Sequence, residues 1–262
     1  IEKSAIEMAD AIIAVSKETH QDVLNHFDVD ENKIVDIYNG IDTEEYSKKK
    51  STEFLESEGI DAEKPYVLFV GRITRQKGII HLVNAIKNIS TEYQVILCAG
   101  APDTEEIEIE MQKAVNSIKK EREGVFWVDK MLSKEAIIEF YSHADIFCCP
   151  SIYEPFGIIN LEAMACETAI VASAVGGIKE VVVDGETGIL VPVEQQNKSP
   201  FEPLNPEKYS LDLANAINQL IKNPTLRKRM ATNGRIRAKE MFSWHSIAEQ
   251  TKKLYKSLLS GN

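Results

Sequence analysis

The chain has 262 residues, 44% of them hydrophobic and 27% charged, with a formal net charge of −11. That charge argues against a general binder of nucleic acid or of a membrane surface, which needs a basic footprint. No apolar run approaches the ~18 residues of a membrane helix, whereas a phosphate-bearing ligand is allowed, because a few local cations and helix N-termini suffice to hold one.

In chain order, residues 11–15 (AIIAV) read as a strand, and Ser16 is a good N-cap for a helix running to about His26. Residues 33–38 (KIVDIY) form a second short strand that ends at the turn signal Asn39-Gly40. Residues 43–64, rich in Lys, Glu and Ser, read as exposed loop and helix. From Tyr66 the pattern becomes regular. Strands at 66–70, 94–100, 125–128, 145–150, 169–173 and 187–192 alternate with helices at 77–89, 104–120, from Ser133, from Phe156 and at 177–182. Near-continuous apolar strands separated by helices indicate a parallel sheet covered on both faces, a doubly wound, Rossmann-like α/β domain. Such a sheet binds ligands at the carboxyl ends of its strands. Beyond Pro192 the pattern gives way to a polar loop and three helices at 206–222, 224–241 and 244–259.

The chain opens Ile-Glu-Lys-Ser, without an initiator Met, which suggests a piece of something longer. Residues 1–40 read as the remnant of an amino-terminal domain with its linker, 41–242 as the ligand-binding domain, and 243–262 as a tail helix. The four cysteines, Cys98, Cys148, Cys149 and Cys166, form no CxxC pair and read as small core residues of a reducing, cytoplasmic protein. The five histidines show no metal-ligand spacing, so no metal is assigned.

Two segments carry the chemistry. Gly71-Arg72-Ile73-Thr74-Arg75-Gln76-Lys77-Gly78 follows a strand and precedes a helix, and projects Arg72 and Lys77 from the strand's carboxyl end. Two such cations neutralise a diphosphate, Arg through its planar fork and Lys as a point charge. A solvated basic loop has the same composition. The second segment, PSIYEPFGIINLEAMA at 150–165, puts Glu154 in a loop, Phe156-Gly157-Ile158-Ile159 at a helix start and Glu162 further along that helix. Free backbone N–H groups at the start attract an anion, and carboxylates suit sugar hydroxyls because they accept two hydrogen bonds at once. The plainer account is a pair of glutamates serving the helix dipole and the surface. Both segments fall at one edge of one predicted sheet, and together they describe a cradle for a sugar nucleotide.

GRITRQKG, APDTEE, DKMLSKE, PSIYEPFGIINLEAMAC, SAVGGIKEVVVDGETGILVP and FSWHSIAEQT resemble, in order and spacing, the carboxy-terminal half of family-four retaining glycosyltransferases of GT-B fold. More narrowly, they look like glycogen synthases that use ADP-glucose. The resemblance implies that Gly71, Arg72 and Lys77 contact the donor diphosphate, and that Glu154 lies near the hydroxyls of the transferred sugar. It further implies that Phe156 and Gly157 to Ile159 approach sugar and phosphate, that Glu162 holds the ribose, and that Lys130, Met131 and Leu132 lie near the base. Arg72, Lys77 and Glu154 would be the catalytic groups. The donor would be a nucleotide sugar used without a cofactor. The acceptor would be an α-1,4-glucan or, alternatively, glucose 1-phosphate yielding maltose 1-phosphate, bound through the amino-terminal domain. Another UDP- or GDP-sugar enzyme, or a non-catalytic nucleotide-sugar-binding module, would show the same cradle. The sequence departs from the family at Glu167, where a glycine usually closes the helix. The tail helix resembles one that crosses back to the other domain, which would leave a stripe including Trp244, Ile247, Leu254 and Leu258 exposed or paired elsewhere, unless Trp244 is ordinary core.

Overall fold

A computed structural model describes residues 2–260 of the chain. It begins with helix α1 (Glu2–Glu7) and a small parallel pair, β1 (Ile12–Ala14) and β2 (Ile34–Asp36), joined by α2 (Lys17–His26). The Ser16 hydroxyl accepts the Thr19 N–H at 3.1 Å and caps α2 as the sequence requires. Ala14, Val23 and Ile34 form this unit's own minor core. The short α3 (Glu53–Ser57) has an unusual cap: the buried Glu139 carboxylate accepts the Phe54 and Leu55 N–H groups at 2.7 and 3.0 Å.

The main sheet comprises β3 (Tyr66–Arg72), β4 (Gln94–Gly100), β5 (Val125–Val128), β6 (Ile146–Cys149), β7 (Ala169–Ser173) and β8 (Gly188–Val191). All pairings are parallel and the order is β5-β4-β3-β6-β7-β8. The chain therefore winds outward from β3 to β5, returns to the middle, and winds the other way from β6. The reversal lies between β3 and β6, the kind of position where an open α/β sheet takes its ligand.

Strand alternation sorts the core into two layers. Val67, Phe69, Val95 and Leu97 point toward α4 (Ile79–Ala85), α5 (Glu105–Glu121) and α9 (Pro206–Lys222). Tyr66, Leu68, Val70, Ile96 and Cys98 point toward α6 (Lys134–His143), α7 (Ile158–Ala165) and α10 (Pro224–Met241). Both strand faces are buried, so the strands are apolar throughout. Between β7 and β8 lies the single-turn α8 (Ile178–Val181), and all four cysteines are free and buried.

The tail helix α11 (Trp244–Ser260) buries only Ile247 among its described residues. Trp244 is 54% exposed, so the core account of this side chain fails, although its ring lies against the Cα of Gly40. Tyr255, Leu258 and Leu259 are exposed as well. No described helix is long and apolar enough to cross a membrane.

Candidate functional site

The two chemistry-bearing segments leave the carboxyl ends of β3 and β6, the two strands that flank the reversal. They touch directly. The Ile152 N–H donates to the Gln76 carbonyl at 2.8 Å, and Lys77 Nζ lies 2.6 Å from a Glu154 carboxylate oxygen. Lys77 and Glu154 are largely buried, so each charge depends on the other for compensation. Ser151 Oγ donates to the same carboxylate oxygen at 3.4 Å.

Arg72 is placed differently. Its guanidinium donates to Asp103 Oδ1 at 3.0 Å, with both side chains well exposed. The expected pair of neighbouring cations is therefore split: Lys77 sits against Glu154 and Arg72 against Asp103. A diphosphate would have to draw Arg72 from Asp103, an exchange that costs little because exposed ion pairs contribute only ~0–1 kcal/mol. Asp103 carried no sequence signal beyond its place in the APDTEE string.

Arg72 also borders a cleft of about 330 Å³ across the carboxyl ends of β3, β4 and β5. Gly71, Gly100, Lys130, Met131 and Leu132 line it, with Val70, Cys98 and Ile137 at its apolar floor and side. Met131 is 94% exposed at the rim, and Lys130 is ion-paired with Glu58. A mostly apolar slot with a few polar groups at its mouth suits a flat heterocycle.

Helix α7 starts at Ile158, with Gly157 as its N-cap at φ 92°. The Ile158 and Ile159 N–H groups have no acceptor among the described residues, which gives this helix tip its anion-attracting character. Phe156 departs from expectation. It is 3% exposed and stacks on Tyr38 at 5.8 Å between centroids, so its side chain serves the core. Glu162 lies one turn into α7, and its two oxygens accept from the Tyr46 and Tyr141 hydroxyls at 3.1 Å each. Burial pushes its carboxyl upward in pKa, while the two phenols act in the opposite direction.

The loop holding Glu154 is clamped from two sides. Gly78 and Gly176 have φ of 60° and 48°, and a Cβ on either would overlap the carbonyl oxygen of Pro150 or of Glu154, respectively. The Gly177 N–H donates to the Glu154 carbonyl at 3.0 Å. The segment at 173–177 is thus direct backing for the site, through close backbone approach.

Known proteins resemble this chain along most of its length. A model of the family "Glycosyl transferases group 1" matches residues 50–200, and one of "Glycosyltransferase Family 4" matches residues 1–45. The chain belongs to the group 1 glycosyl transferases. It is 45% identical to the alpha-maltose-1-phosphate synthase of Mycolicibacterium smegmatis and 43% identical to that of Mycobacterium tuberculosis strain H37Rv. Each alignment covers 98% of this chain and 66% of the relative, so the chain spans just under two thirds of either enzyme's length. Among solved structures, sucrose-phosphate synthase from Thermosynechococcus elongatus superposes with a TM-score of 0.79 at 30% identity, over 100% of this chain and 61% of that one. The fold is the Rossmann-like carboxy-terminal domain of a GT-B glycosyltransferase with a helical tail.

Proposed function

We propose that this chain is the donor-binding part of a retaining glucosyltransferase that moves glucose from ADP-glucose to glucose 1-phosphate, forming α-maltose 1-phosphate. The observation that carries this reading is the 45% identity, along nearly the whole chain, to an enzyme named for that product. It shifts the acceptor from the glucan of a glycogen synthase, the first expectation from sequence, to the sugar phosphate that was its alternative. Residues 2–40 would belong to the acceptor side of the molecule, in keeping with the separate family match over 1–45.

In the proposed reaction the bond between the glucose anomeric carbon and the β-phosphate oxygen breaks, and the acceptor's 4-hydroxyl oxygen bonds to that carbon while passing its proton to the β-phosphate oxygen of the departing ADP. Arg72, Lys77 and the amides of Ile158 and Ile159 stabilise the negative charge growing on the diphosphate, each such preorganised donor contributing roughly 3–4 kcal/mol. Glu154 orients the sugar and faces the positive charge that develops at the anomeric carbon, Glu162 holds the ribose, and the cleft at Lys130 to Leu132 takes the base.

Calorimetric titration of the chain with ADP-, UDP- and GDP-glucose tests the donor, with ADP-glucose expected to bind tightest. Arg72→Ala is expected to weaken ADP about tenfold or more, the value of a charged hydrogen bond. Transfer measured in the complete protein should proceed with glucose 1-phosphate at least about ten times faster than with glycogen, a difference of roughly 1.4 kcal/mol in barrier. Elongation of glycogen with no maltose 1-phosphate formed would restore the glucan reading.

A further inference from the structure

The glutamate assigned to the ribose is held by two phenols that no part of the proposed reaction uses. Tyr46 gives its O–H to one Glu162 oxygen and Tyr141 to the other. They arrive from separate elements. Tyr141 is fully buried on α6, one turn beyond the cleft residue Ile137. Tyr46 stands in the loop between β2 and α3, where the Arg235 guanidinium donates both to its carbonyl at 2.7 Å and to the Ala165 carbonyl at 2.6 Å. One arginine thus ties the Tyr46 backbone to the end of the helix that carries Glu162.

An ionised carboxylate offers about four acceptor positions, two on each oxygen. One phenol on each oxygen fixes the carboxylate plane and leaves one position per oxygen, the number a vicinal diol needs. A partly desolvated carboxylate is also an expensive way merely to staple a loop to a helix, since an amide or an apolar pair would hold the same elements without the charge.

We infer that Tyr46 and Tyr141 are positioning residues for Glu162, aiming its carboxylate so that its two remaining acceptor positions meet the 2′- and 3′-hydroxyls of the donor ribose. The inference rests on the ribose role proposed for Glu162, and the test separates the two. Binding of ADP and of 2′,3′-dideoxy-ADP is measured by calorimetry for the parent chain, Tyr46→Phe, Glu162→Gln and the double variant. Tyr46→Phe keeps the ring and removes only the donor, and Tyr141→Phe serves as a second variant. The expected result is a weakening of ADP by about fivefold to tenfold in Tyr46→Phe, with dideoxy-ADP changed less than about twofold. The double variant should then bind ADP within about twofold of Glu162→Gln alone, because both changes act through one contact. Equal losses for the two ligands, or unchanged ADP affinity in Tyr46→Phe, overturn the positioning role. Unchanged ADP affinity in Glu162→Gln overturns instead the ribose assignment beneath it.

Discussion

At the scale of single residues, the least comfortable side chain lies in the first turn of α4. His81 on α4 is 3% exposed and edge-on to Tyr209, and neither ring nitrogen has a hydrogen-bond partner among the described residues. Burial lowers its pKa from 6.5 to about 4, with Glu110 pulling upward and Arg75 downward. The unfolded chain therefore binds this proton at a higher pH than the folded one. The associated stability is complete above pH 6.5 and is lost as pH falls toward about 4, an effect of at most roughly 3 kcal/mol. Glu202, 3.5 Å from Nε2, offers the protonated ring a partner and moderates the loss. His81→Phe should remove this slope, so that urea midpoints of parent and variant converge or cross between pH 7 and pH 5; parallel curves would show that the ring does not titrate as burial dictates. Glu167 tells a different story. It has φ 61°, the left-handed cap that the missing glycine led one to expect. Glu167→Gly should raise stability by up to about 1 kcal/mol, seen as a gain of roughly 2–4 °C in Tm, with nucleotide affinity unchanged.

At the scale of elements, the site is made by loops pressed together rather than by any one motif. Gly78 at the mouth of α4 and Gly176 before α8 let two backbones close on the segment 150–156, and neither position has room for a Cβ. Gly176→Ala should therefore displace the Glu154 carbonyl. The expected consequence is a stability loss of roughly 2–4 kcal/mol, a Tm lower by more than about 5 °C, and weaker ADP-glucose binding at temperatures where the variant remains folded. Normal affinity in a folded Gly176→Ala chain would show that Glu154 can be placed without this clamp.

At the scale of the whole molecule, the small unit at 2–36 and the main domain are joined by a few specific contacts. Glu180 on α8 accepts the Lys17 N–H at 2.8 Å and the Tyr38 hydroxyl at 3.0 Å, and burial together with that carboxylate raises the Tyr38 phenol to about 12. Tyr38 also packs on Phe156 and Phe242, while Ile41 pairs with Ser243 where the two connecting segments run side by side. Glu180→Ala should accelerate amide hydrogen exchange in β1, α2 and β2 by about tenfold, the signature of a local unit released from its support, and leave β3 through β8 unchanged. Uniform acceleration across the main sheet would mean that Glu180 stabilises the domain globally.

The parallel, doubly wound class was legible from residue order alone, because apolar runs buried on both faces and broken by amphipathic helices admit few other arrangements. Its strand limits at Gln94–Gly100, Val125–Val128 and Ala169–Ser173 were readable for the same reason. That the two segments lie side by side was readable too, since both leave strand ends at the same sheet edge, but the ion pair of Lys77 with Glu154 was not. Out of reach before folding were contacts between residues far apart in the chain that share no local pattern. Arg72 turning to Asp103, Phe156 buried under Tyr38, and Glu162 held by Tyr46 and Tyr141 are of this kind. Periodicity reports which face of its own element a side chain occupies. Which partner it meets on another element depends on how the layers stack, and packing sets that globally.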